Sequence, residues 1–219
     1  MKKIVLFLFA SVFTLVHAFA QQEINEANVQ KRSIGRFHSI DVSSGIEVIL
    51  TNGDKEELVV SVGDLSYRDQ VKTTVSNGVL KITRDVEWKF WNTWKNWSVK
   101  VYVSYTNLDI MTASSGAMIK GKDISLSNLT ARASSGAQIQ LSGKAEFLDV
   151  DVSSGSSFRG NDFLVTKCKA EASSGAGVTI TVEKELSAEA SSGGNIKYKG
   201  NGSIRDINIS SGGSVKRQS

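Results

Sequence analysis

The chain has 219 residues, with 26 lysines and arginines against 22 acids, 19 glycines, one cysteine and no proline. A single cysteine excludes an internal disulfide, and so slight a basic excess gives no warrant for nucleic-acid binding. No Cys/His metal set is present and no glycine-rich phosphate loop precedes a helix, so no cofactor or metal is expected.

Residues 1–20 read as a secretory signal. Lys2 and Lys3 form a basic start, Ile4 to Val16 an apolar run, and Ala18-Phe19-Ala20 a cleavage site. The run is too short for a spanning helix, and its removal leaves no transmembrane segment in the mature chain. Loss of the two lysines lowers the net charge from +4 to +2. The destination is periplasmic, outer-surface or extracellular. His17 leaves with the signal, so His38 is the one histidine of the mature protein.

Residues 21–35 are polar and aperiodic, and read as a flexible arm. From 36 to about 107 the pattern is mixed. Ser43-Ser44-Gly45 sits between two alternating segments, and Asn52-Gly53-Asp54 and Ser76-Asn77-Gly78 are turn signals flanked by alternating apolar residues. Asn-Gly at such a place predicts hairpins. A single helical turn fits Asp64–Gln70, and Trp97–Tyr105 reads as a strand. This region is expected to cap one end of the repetitive C-terminal part, because an open β edge invites further strands.

From 108 to 219 the chain repeats. Ser-Ser-Gly recurs at 114, 134, 153, 173, 191 and 210, at spacings of 20, 19, 20, 18 and 19 residues. That period is too short for paired helices and suits one coil of a β-solenoid. Five residues after the first serine stands an apolar residue in every copy (Ile119, Ile139, Phe158, Val178, Ile196, Val215; Val48 in the early copy). Alternation on both sides of the triplet gives two half-buried strands meeting at a corner. Unbroken alternation through that corner would turn the second serine inward. The fold class is therefore all-β: a parallel β-helix, or solenoid, with an antiparallel, hairpin-rich N-terminal cap.

Three features bear on chemistry. The column two residues before each triplet includes Asp151, Glu171 and Glu189, which read as a solvated charged row because a straight row does not converge on a metal. The column six residues after the first serine includes Lys120, Arg159, Lys197 and Lys216, a basic stripe that favours solubility and edge protection, with acidic polysaccharide as the other partner class. Cys168 falls in the column of Leu129, Leu148 and Leu186 and reads as buried. A nucleophilic serine needs a base, and one histidine cannot serve seven triplets, so the serines read as structural.

All four tryptophans, Trp88, Trp91, Trp94 and Trp97, lie within ten residues among lysines and asparagines. Indoles on a strand end or loop suit cap packing, or stacking on sugar rings and docking to a partner. They are the candidate ligand-binding residues.

The signal peptide, the early Gly45-Ile46-Glu47 segment, the Asn-Gly hairpin, the Trp-rich stretch and the tandem Ser-Ser-Gly coils together resemble the auto-transporter adhesin head GIN domain family, a domain of unknown function common in Bacteroidetes. Glu47 departs from the family's Gly-Ile-Asn. The resemblance implies a solenoid fold and an adhesin-like role on a surface, with a glycan or a protein as partner. The combined expectation is an exported, non-catalytic binding module. A polysaccharide lyase or hydrolase on a β-helix and a self-associating envelope protein are the alternatives.

Overall fold

A computed structural model describes residues 28–85 and 98–218. The expected signal peptide lies outside the described residues. Fifteen strands form one sheet: β1 (Val29–Arg32), β2 (Ser39–Val42), β3 (Glu47–Asn52), β4 (Glu57–Val62), β5 (Val71–Ser76), β6 (Val79–Arg84), β7 (Val99–Tyr105), β8 (Ile110–Ala113), β9 (Met118–Ala133), β10 (Gln138–Val152), β11 (Ser157–Ala172), β12 (Gly177–Ala190), β13 (Asn195–Lys199), β14 (Ser203–Ile209) and β15 (Ser214–Arg217). The helical turn is a 3-10 helix, Leu65–Gln70, started by Asp64, whose carboxylate accepts from the Ser66 amide at 2.8 Å.

The solenoid follows from the repeat. From β8 to β15 each strand pairs in parallel with its counterpart in the neighbouring coil, and the apolar columns stack in register: Val48, Ile119, Ile139, Phe158, Val178, Ile196 and Val215 are consecutive partners. Segments that follow a serine corner form a front wall, and segments that lead into one form a back wall. The inward residues of both walls belong to one apolar core. Many are alanines on the back wall, such as Ala131, Ala170 and Ala188.

Two strands per coil is an incomplete description. In β9 the alternation breaks at Lys122-Asp123 and again at Ser127-Asn128, where two neighbours are both exposed. Between them Ile124 is buried. Asp123 has φ 55°, and the pairing of β9 with β10 shifts register at this bend. β9 thus bends twice and contributes a short third wall; Ile124 there and Phe163 of β11 both align with Gly143 of the coil between them, beside which Ala145 is buried.

The serine corners correct a second expectation. Ser115 and Gly116 have φ 51° and 72°, and Ala117 N donates to Ser114 O at 3.0 Å. Two successive left-handed residues closed by an i to i+3 bond are a type I′ pattern, which glycine tolerates at no steric cost. This turn stops the alternation. The second serine therefore faces solvent in the regular coils, and the residue after glycine (Ala117, Ala137, Ser156 or Ala176) turns inward. Ser156, the one hydroxyl among these four, is satisfied by donating to Ala133 O at 2.7 Å.

The N-terminal part continues the same walls. β6 pairs in parallel with β2 on the back wall, and β7 with β3 on the front wall, so β6 and β7 form one further coil. Outside it, β4 and β5 run antiparallel to β7 and β6, with the 3-10 helix between them. The Asn77-Gly78 turn does join hairpin partners, β5 and β6. The Asn52-Gly53 turn does not, because β7 lies between β3 and β4 and pairs with both. Within the segment expected to be a flexible arm, Val29–Arg32 forms β1 against β4. Arg32 donates to Arg68 O at 2.9 Å, Val71 O at 2.6 Å and Thr73 Oγ1 at 3.1 Å, tying this strand to the 3-10 helix and the back wall.

At the other end, β14 pairs with β12 and β15 with β13, and no further strand pairs with either among the described residues. Ile204, Ile207 and Ile209 are 38–49% exposed there, although their equivalents one coil earlier are buried. Arg217 stands in the column of Tyr198 and reaches Gly200 O at 2.5 Å, so its stem lies over the end of the core.

Candidate binding surfaces

The candidate residues Trp88, Trp91, Trp94 and Trp97 lie outside the described residues. Their place in the chain is nonetheless bracketed. Residues 86–97 connect the end of β6 to the start of β7, whose partners β2 and β3 are joined by Ser43-Ser44-Gly45. Asp85 N donates to Gln70 O at 2.8 Å and Ser98 O accepts from Gly63 N at 2.8 Å, which anchors both ends on the cap.

The corners themselves form a ridge. The amide of each triplet glycine donates to the second serine's carbonyl in the following coil, from Gly45 to Ser115 through Gly193 to Ser211, at 3.0–3.2 Å. The backbone is satisfied by the stack, which leaves the hydroxyls of Ser115, Ser135, Ser154, Ser174 and Ser192 to solvent. His38 pairs through Nδ1 with Asp109 Oδ1 at 2.9 Å. That pair lies at the start of the back wall, next to the Asn77-Gly78 turn.

The outward columns separate charge between the two long walls. On the front wall, Ile49, Lys120, Gln140, Arg159, Thr179, Lys197 and Lys216 are consecutive partners. From β9 onward the front segments 118–121, 138–141, 157–160, 177–182, 195–199 and 214–217 contain no aspartate or glutamate. Lys120 reaches back to Glu47 at 2.7 Å. Arg159, Lys197, Lys199 and Lys216 have no ion-pair partner among the described residues. On the back wall, Arg132, Asp151, Glu171 and Glu189 are consecutive partners. Lys169 pairs with Glu171 at 2.6 Å, and the surrounding carboxylates hold its pKa above the usual lysine value. Lys167 and Arg205 share Glu185 at 3.3 and 2.7 Å and hold its carboxyl below the usual range. The acidic row is straight, and among the described residues no group of three or more His, Cys, Asp or Glu could hold a metal ion.

Cys168 is buried between Leu148 and Leu186, where the column predicted it. Burial, with Asp149 nearby, pushes its thiol pKa up. No helix among the described residues is long and apolar enough to cross a membrane.

Sequence reasoning found both charged columns, but not that they occupy opposite long walls or that the front wall beyond Glu47 is free of acids. The signal was available: the triplets at 153 and 191 are each preceded by an acid, Asp151 or Glu189, and followed by a base, Arg159 or Lys197.

No curated protein matches the chain. Among solved structures, it is similar to a putative adhesin from Bacteroides fragilis at 14% identity, covering 87% of this chain and 96% of that one with a TM-score of 0.68. A putative lipid binding protein from Parabacteroides distasonis aligns at 18% identity over 87% and 96% with a TM-score of 0.51. A putative adhesin from Parabacteroides merdae aligns at 16% identity over 87% and 95% with a TM-score of 0.50. At these identities the likeness is one of fold. The family model described as "Putative auto-transporter adhesin, head GIN domain" matches residues 36–202, and the chain belongs to that family.

Proposed function

We propose that this protein is an exported, non-catalytic binding module that attaches to a surface glycan or protein in the manner of an adhesin. The observation that carries this reading is the in-register stacking of the outward columns, which presents a row of polar and charged side chains at a regular spacing of about 4.8 Å per coil. Such a surface makes many parallel contacts to an extended partner. Catalysis instead needs a few groups converging on one point. Family membership and the adhesin-type neighbours support the reading.

Export rests on residues 1–20, whose pattern is that of a cleaved signal. The tryptophan segment is assigned a docking role. Exposed indoles offer large apolar area with a donor at the edge.

Glycan-array binding by residues 21–219 tests this, beside a variant with Trp88, Trp91, Trp94 and Trp97 changed to alanine. The variant must first keep the β-type circular dichroism spectrum and melting curve. Binding lost in the folded variant supports the docking role. Unchanged binding removes the tryptophans from the site, and a variant that does not fold assigns them to cap packing.

A further inference from the structure

We infer that the front wall is a binding site for linear acidic polysaccharide, lying along the solenoid axis over Lys120, Gln140, Arg159, Thr179, Lys197 and Lys216. These six side chains are consecutive partners in one column, so they lie on a line parallel to the axis. The cations Lys120, Arg159 and Lys197 recur at every second coil, about 9.6 Å apart from the strand spacing. Gln140 and Thr179 fill the coils between with groups that both donate and accept hydrogen bonds. Alternating cation and neutral polar group matches a polymer that alternates, or repeats at close spacing, carboxylate and hydroxyl.

Three facts distinguish this row from a solubilising surface. The front segments from β9 onward hold no acid, whereas a solubilising surface mixes both signs. Arg159, Lys197 and Lys216 have no ion-pair partner among the described residues, so of the row's cations only Lys120, paired with Glu47, exchanges an internal ion pair on binding. In the same coils the outward acids Asp151, Glu171 and Glu189 sit on the back wall, where Lys169 and Lys167 are already paired, and Asp123, Asp162 and Glu183 lie past the ends of the front segments, at the bends. A cationic strip on a rigid, pre-formed wall attracts a polyanion without ordering cost to the protein. Lys199, on the adjacent outward position of β13, widens the strip at the C-terminal end.

The inference rests on the binding-module reading but fails separately from it. The probe is polygalacturonate, with its methyl ester as the neutral sugar control and polyglutamate as the polyanion that carries no sugar. Residues 21–219 are compared with a front-wall variant (R159Q, K197Q, K216Q) and a back-wall variant (R132Q, K167Q, K169Q), which remove equal charge. The expected result is measurable binding to polygalacturonate, weakened about tenfold in the front-wall variant and unchanged in the back-wall variant. Binding weakens as ionic strength rises from about 0.05 to about 0.3 M, where screening shortens. Equal loss in both variants, or equally tight binding to polyglutamate, overturns the inference. A chain that binds other glycans or proteins but not polygalacturonate overturns it and leaves the binding-module reading standing.

Discussion

The amide of Gly136 donates to the carbonyl of Ser154 in the following coil at 3.0 Å, so the corner is itself a rung of the ladder. Ser135 and Gly136 reach that geometry through φ values of 51° and 72°. A Cβ at Gly136 would meet nothing within 4 Å, so the cost of Gly136→Ala is conformational alone, about 1–2 kcal/mol. At roughly 2–4 °C per kcal/mol this lowers the melting temperature measurably. Ser135→Asn, by contrast, places a residue that accepts left-handed backbone and leaves stability unchanged or slightly higher. Thermal melts of the two variants check both directions.

The Cys168 thiol lies in the core between Leu148 and Leu186 and has its pKa raised by burial. It does not react with a thiol reagent in the native state and reacts fully in denaturant. The pH dependence follows the same cause. In the unfolded chain the thiol ionises above about pH 8.5, while the native thiol keeps its proton. The native state then binds more protons, so stability falls as pH rises through that value, by up to about 1.4 kcal/mol per pH unit. Cys168→Ala flattens this slope in denaturant titrations at pH 8 to 10, although it lowers stability at pH 7.

Arg32 joins β1 to two carbonyls and a hydroxyl of the 3-10 helix and β5. Arg32→Ala removes these bonds and leaves Arg68 O and Val71 O without this donor, costing about 1–3 kcal/mol. Faster amide exchange in β1 and β4, with the coils from β9 onward unchanged, is the expected signature. Uniformly faster exchange would mean that the cap and solenoid unfold as one unit.

Tyr105 is buried, and among the described residues its hydroxyl has no hydrogen-bond partner. Burial raises its pKa to about 12. Tyr105→Phe removes the unsatisfied group at nearly constant shape and raises stability by about 1 kcal/mol. A fall in stability instead would reveal a partner for the hydroxyl.

The solenoid was legible because stacking puts like on like. Ile119, Ile139, Phe158 and Val178 show the same period in the sequence that they show in space. Cys168 was placed by the same column logic. The third wall was not read, since its signal is only a pair of adjacent polar residues at each end, such as Lys122-Asp123 and Ser127-Asn128. The serine orientation failed for a sharper reason. Side-chain alternation assumes extended backbone, and two left-handed residues at Ser115 and Gly116 break that assumption. In the cap, β7 between β3 and β4 is a non-local choice that no turn sequence encodes. The charged columns were visible singly, but their segregation onto opposite walls required the path of the chain.

A binding surface built by stacked coils is probed most closely by the retention of beads coated with residues 21–219 on immobilised cell-envelope glycans and proteins under flow. The expected result is retention above that of albumin-coated beads, competed away by the soluble folded chain and absent when the coating chain is heat-unfolded. Retention no greater than albumin, or equal retention by the unfolded chain, would contradict such a surface.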